Sequence, residues 1–353
     1  MASDKAAAFC ELADFLRAER IPSCVLHGID PESGALGRDL DLYIPDSRQA
    51  FRAAVQFSEI LRRHGVRWVA LMHPVWGPRC IGIVEFDLSY WELHIVTSVS
   101  MACVDFGELF PIGGREGPHG FNFDPSLWFI KAVLQKYSNS FARGRPVWTR
   151  FPGDIFALAH KTEIENEFQK RWPNGAKFVS AVLSPGTDAN LRTRRRCLFA
   201  LVLWHCLAHP WKAARAAARW LYRKGYAYKC PTVPVIGIDT TMESSALREC
   251  LAEKLGHVFP DIVVADRPIS WRARKWLQVK QSLLVLRRDE RRNNQKAIDC
   301  LVSFSSSDRA GIDAGVAAIL DCVVQYNRSW PARYEAMSLR HGKNTAAVAA
   351  GKR

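Results

Sequence analysis

Two aspartates two residues apart, Asp39 and Asp41 in Arg38-Asp39-Leu40-Asp41, are the residues of this chain best placed by spacing to do chemistry. In a β-strand, residues i and i+2 point the same way. Both carboxylates should therefore project from one face, with Leu40, Leu42 and Ile44 on the opposite, buried one. Adjacent carboxylates repel unless a cation or a proton sits between them. Magnesium is the usual cation, held by one or two carboxylates plus substrate phosphates, and phosphoryl transfer is the usual chemistry. The competing reading is a surface strand bearing two solvated aspartates.

The elements around the pair suit such a site. Ser23-Cys24-Val25-Leu26-His27-Gly28 reads as a strand ending in glycine, and residues 29–37 carry the turn residues Asp30, Pro31, Ser33, Gly34 and Gly37 before the Asp39 strand. Downstream, Asp46-Ser47 is a helix N-cap pair. Ala50, Ala53, Ala54, Phe57, Ile60 and Leu61 then recur at helical spacing up to Gly65, which predicts a helix packed on the sheet. Val66 to Leu71, Cys80 to Phe86 and Trp91 to Val96 read as the remaining strands of one small α/β unit.

A hydrophobic-glycine strand, a short spacer and Asp-x-Asp resemble the nucleotidyltransferase fold of the polymerase β type. The resemblance implies that Gly28 lets backbone amides approach a nucleoside triphosphate and that Asp39 and Asp41 hold the metals. It also implies a third carboxylate on a later strand, a metal ligand and base toward the attacking hydroxyl. In relatives that strand reads roughly Leu-His-Ile-Asp; here it is Leu93-His94-Ile95-Val96, and valine neither binds magnesium nor takes a proton. Glu92 shares the strand face of His94 and Val96 but stands about 13 Å along the strand from the expected position. Asp87 and Asp105, at strand ends, are further candidates that equally suit turns or caps.

A second strand-loop-helix pattern begins at Val233. An apolar run precedes Gly237-Ile238-Asp239-Thr240-Thr241-Met242-Glu243-Ser244-Ser245, and Leu247, Cys250, Leu251, Leu255 and Val258 follow on one helical face. Against the phosphate-binding loop G-x-x-x-x-G-K-[ST], Gly237 and Ser244 match, whereas Met242 and Glu243 stand at the second glycine and the lysine. Methionine fills space that phosphates need, and glutamate repels them. The order of parts resembles bacterial proteins in which a nucleotidyltransferase-like domain is followed by a helical segment and a thymidylate-kinase-like domain, often associated with capsule or exopolysaccharide biosynthesis. Ile262 to Arg267 is similar to the kinase Asp-Arg strand, and Ala297 to Phe304 with a last helix through Ile312, Val316, Ile319, Leu320 and Val323 is similar to that domain's end.

The resulting expectation is an α/β chain: a small mixed-sheet nucleotidyltransferase-like domain over 1–125, a helical connector over 126–228, a shortened P-loop-kinase-like α/β domain over 229–335 and a disordered basic tail over 336–353. The length of 353 residues, 48% hydrophobic content and mean hydropathy of −0.11 fit two modest globular domains. The amino end runs into an amphipathic helix through Phe9, Leu12, Phe15 and Leu16 rather than a secretory signal. Cys197 to Trp204 is too short to span a bilayer and reads as a buried helix. Ten cysteines without a C-x-x-C pair fit reduced core thiols in the cytoplasm. His205 and His209, one helical turn apart, lack the Glu of H-E-x-x-H and read as histidines at the polar edge of a core helix. Gly113 to Gly120 is a glycine-rich loop or linker.

The net charge of +14 is clustered at Arg192 to Arg196, along Lys212, Arg215, Arg219, Arg223 and Lys224, and at Arg287 to Lys296. Nucleic acid or nucleotide, an anionic membrane surface, and solvent alone are the competing partners of these faces. Two functions remain open. One is magnesium-dependent transfer of a nucleotidyl group from a nucleoside triphosphate to an unknown acceptor, with Asp39 and Asp41 as metal ligands, Glu92 as a distant substitute for the third carboxylate, and Gly28, Gly237 and Ser244 toward nucleotide. The other is an inactive nucleotide fold that acts as a scaffold or binding protein through its basic helices.

Overall fold

The computed structural model describes residues 5–72, 79–83, 90–101, 104–110, 112, 115–131, 152–183, 188–229, 233–256, 258–259, 261–267, 269–279, 282–287, 298–304 and 308–328. The chain is mixed α/β and divides into two units, one of Asp4–Ala53 with Leu93–Arg223, the other of Met1–Ser3, Ala54–Glu92 and Lys224–Arg353.

In the first unit, helix α1 (Lys5–Ala18) buries Phe9, Leu12 and Leu16 of the stripe expected from the spacing and leaves Phe15 half-buried. Strands β1 (Cys24–Ile29) and β2 (Leu36–Tyr43) pair antiparallel, with His27 opposite Asp41 and irregular register on both sides of His27. The turn between them is held by Asp30, whose side chain accepts from the amides of Glu32 and Ser33 and whose amide bonds the Ala35 carbonyl. Leu40, Leu42 and Ile44 are all buried, so the alternation read from the sequence holds.

Helix α2 (Ser47–Arg63) starts where expected, with the Asp46 carboxylate accepting from the amides of Arg48 and Gln49. Strands β3 (Trp68–Met72) and β4 (Arg79–Ile83) follow, then β5 (Tyr90–Val96), whose Val96 carbonyl accepts from the Ile44 amide just beyond β2. The short strands β6 (Ser100–Met101) and β7 (Val104–Asp105) pair with each other and lead into α3 (Phe106–Leu109). Strand β8 (Arg115–Glu116) pairs antiparallel with β9 (Asn122–Phe123), and β9 lies parallel to β1.

Helices α4 (Pro125–Trp128), α5 (Pro152–Ala159), α6 (Lys161–Arg171), α7 (Gly175–Leu183), α8 (Asp188–Ala208) and α9 (Pro210–Lys229) follow among the described residues. Their core is aromatic: Phe106, Phe110, Phe129, Phe168, Trp172 and Phe178 pack together with Leu26 and Val96. Helix α8 departs from the expectation of a wholly buried element. Leu201 and His205 are buried, whereas Phe199, Leu203 and Leu207 face solvent. A run apolar on every side carries no periodicity to say which face turns inward, so packing decided it.

In the second unit β3 and β4 form an antiparallel hairpin, and Trp68, Ala70, Met72, Ile81 and Ile83 join the core of the carboxy-terminal elements. Those elements are β10 (Val235–Asp239), α10 (Ser244–Leu255), β11 (Ile262–Ala265), α11 (Trp271–Val279), β12 (Leu283–Arg287), β13 (Cys300–Ser303) and α12 (Arg309–Arg328). The four strands are parallel in the order β11-β12-β10-β13, and continuous apolar runs such as Leu283-Leu284-Val285-Leu286 suit a parallel sheet covered on both faces. Trp68 donates its indole N–H to Asp321 on α12 at 2.9 Å, so the hairpin and the last helix share a hydrogen bond as well as a core. The sequence division instead groups β3 and β4 with β1 and β2.

Candidate functional site

The hairpin of β1 and β2 presents Asp39 and Asp41 as the alternation requires, but their surroundings differ. Asp39 is half-exposed, with His27 Nδ1 3.8 Å from its carboxylate. The Asp41 side chain is only 14% exposed, and both its oxygens are engaged: His94 Nδ1 lies 3.1 Å from Oδ1 and Lys131 Nζ 3.4 Å from Oδ2. His94 comes from β5 beside β2, and Lys131 follows directly on α4 and the buried Phe129-Ile130 pair.

Burial works to raise the Asp41 carboxyl. The His94 hydrogen bond, then the positive charge of Lys131, with lesser contributions from His94 and His27, outweigh it and hold the group well below the usual carboxylate range. Asp41 is thus an anion at neutral pH because the protein supplies its own counterions. An ionised carboxylate only accepts, so His94 carries its proton on Nδ1. Nε2 is buried without a hydrogen-bond partner among the described residues.

Gly28 is required at its position by the backbone around it. Its φ is +98°, and a Cβ there would fall 1.8 Å from the Asp39 carbonyl oxygen, so any side chain collides with the neighbouring strand. Gly28 is what lets β2 come close enough for His27 to face Asp41.

The third position does not carry a carboxylate. Val96 packs into the aromatic core, and the β5 residue against Asp41 is His94. Glu92 falls in the other unit, where it neighbours Cys80; burial chiefly, with Glu92 adding to it, pushes that thiol up to about 12. Asp105 is a cap, as its alternative reading had it, accepting from the Gly107 amide and the Ser98 hydroxyl. Asp87, Gly113, Gly114, residues 288–297 and the tail from Arg340 lie outside the described residues.

The centre does not suit magnesium. That ion takes hard oxygen ligands in octahedral array. Here one carboxylate is already neutralised, and the orphaned atom is an imidazole nitrogen, a ligand for softer metals. No group of three or more His, Cys, Asp or Glu capable of holding a metal occurs among the described residues. The rings of His205 and His209 lie 5.3 Å apart; His205 is buried, His209 is half-buried just past the end of α8, and burial followed by the charges of His209 and Lys212 lowers the His205 pKa.

The second loop has the expected order of strand, turn and helix. Gly237, however, lies inside β10, paired with Leu286 and Leu301 and covered by Ile298, and so not in the loop. Ser244, at the first turn of α10, donates its hydroxyl to Asp266. Arg287 bonds that same carboxylate at 2.8 Å and the Met242 carbonyl at 2.9 Å. A serine-arginine-aspartate knot therefore occupies the turn where the motif would cradle phosphate.

Sequence reasoning missed His27, His94 and Lys131. His94 was within the strand motif searched for a third carboxylate; Lys131, one cation at the end of an apolar run, had no local signal. No family model matches the chain, and neither a curated protein nor a solved structure matches it.

Proposed function

We propose that the chain is a nucleotidyltransferase-like protein that works by binding rather than by phosphoryl transfer. The observation that carries this reading is the engagement of both Asp41 oxygens, one by His94 and one by Lys131, in a pocket where a transferase keeps its carboxylates for metal. Breaking that arrangement to admit a cation means leaving the Lys131 ammonium, itself mostly buried, without its partner, which is costly. The apolar Val96 and the Glu243 at the lysine position of the second loop point the same way. The transfer reading is favoured by one feature, the projection of Asp39 and Asp41 from the same face of β2.

Calorimetric titration with each nucleoside triphosphate plus magnesium separates the two, using the folded wild type and an Asp39→Asn/Asp41→Asn variant. The expected result is no magnesium-dependent binding to either protein. Magnesium-dependent binding to wild type that vanishes in the double variant would restore the transferase.

A further inference from the structure

The outer face of α8 and the start of α9 combine two features that are seldom exposed together. Phe199, Leu203, Leu207 and Trp211 recur every four residues and all face solvent, with Leu207 74% and Trp211 86% exposed. The break between the helices does not turn the stripe aside. His209 N–H bonds the His205 carbonyl at 2.8 Å and Ala213 N–H the His209 carbonyl at 3.1 Å, so the helical repeat continues through Pro210 and Trp211 falls one turn beyond Leu207. From residue 188 to residue 223 the chain has eight lysines and arginines against one acid, Asp188. Arg196 precedes Phe199 by one turn on the exposed face, and Lys212 and Arg215 are exposed on α9. Arg215 is already shared with Glu108 at 3.5 Å.

We propose that this face docks on an anionic lipid surface, with the four large side chains entering the boundary between headgroups and acyl chains and the cations meeting the headgroups. The two features together choose this occupant. A second copy of the same face would bring Arg196, Lys212 and Arg215 against the same three cations. Nucleic acid would answer the charge and leave the apolar stripe in water. A bilayer with acidic headgroups answers both, and an exposed tryptophan beside a lysine is the residue pair that anchors at such a boundary. No described helix is long and apolar enough to cross a membrane, so the contact lies on the surface. This inference rests on the helices alone and holds whichever way the Asp41 centre is used.

The test is flotation of the full chain with phosphatidylcholine vesicles with and without phosphatidylserine. Wild type should float only with the acidic vesicles. Leu207→Ser/Trp211→Ser and Arg196→Glu/Lys212→Glu should each weaken that binding by about tenfold or more, with unchanged circular dichroism. Phe199→Ser/Leu203→Ser, away from the helix junction, should behave as the first pair does. The inference is overturned if wild type ignores acidic vesicles, if it binds duplex DNA and not vesicles, or if both apolar pairs bind as tightly as wild type, since charge alone would then account for the attraction.

Discussion

Asp41 and Asp266 sit at matching stages of two strand-and-loop patterns, and each is held by cations of its own chain, yet they differ in depth. Asp41 is 14% exposed and meets Lys131 and His94, which are themselves mostly covered. Asp266 is 53% exposed and meets Arg287 and the Ser244 hydroxyl at the surface. Water screens the second pair and scarcely reaches the first, so the same chemistry carries a large energetic consequence in one unit and a small one in the other. The difference lies in depth: each carboxylate is satisfied by groups of its own chain, one away from water and one in contact with it.

The largest effect should come from the backbone that sets up the buried centre. Gly28→Ala has to displace the Asp39 carbonyl as well as adopt a positive φ, and is expected to destabilise by about 3 kcal/mol or more, measured by urea unfolding. A loss under about 1 kcal/mol would mean that β2 yields easily and that its close approach does not organise the site.

Next comes the Asp41 pair itself. Lys131→Met should cost about 3 kcal/mol by leaving a buried carboxylate short of a counterion, and adding Asp41→Asn should recover part of that loss. The pH dependence has a definite sign. Because the folded Asp41 carboxyl lies below its unfolded value, its contribution is complete above about pH 4 and is lost as pH falls through the folded value. Unfolding titrations should show Asp41→Asn flattening the acid limb of the stability profile; an unchanged limb would refute the buried ion pair. The smallest effect belongs to the exposed counterpart. Arg287→Gln should cost less than about 1 kcal/mol and that cost should shrink further in salt. A loss as large as that of Lys131→Met would erase the contrast between the two regions.

Local pattern carried much of the fold. The N-cap at Asp46, the helical repeat from Ala50 to Leu61, the alternation of Asp39 and Asp41 against Leu40 and Leu42, and the apolar run of β10 were all legible, because each depends on neighbours within a few residues. The partners of Asp41 were not. Lys131 is ninety residues away in the chain and His94 more than fifty, distances at which spacing says nothing about contact.

By itself, then, the amino-acid sequence determined the helix after Asp46 and the strands around Asp39 and Val235, that two carboxylates share a strand face, that a glycine ends the strand before them, and that residues 188–223 are strongly basic. Tertiary structure alone decided that Asp41 faces a lysine and a histidine, that Gly237 lies within a strand, that β3 and β4 share a core with the last helix, and that Phe199 and Leu203 of an apolar helix turn outward. The physical reason is range: backbone preference and periodicity act over one or two turns, whereas burial and charge pairing are settled among residues that only folding brings together.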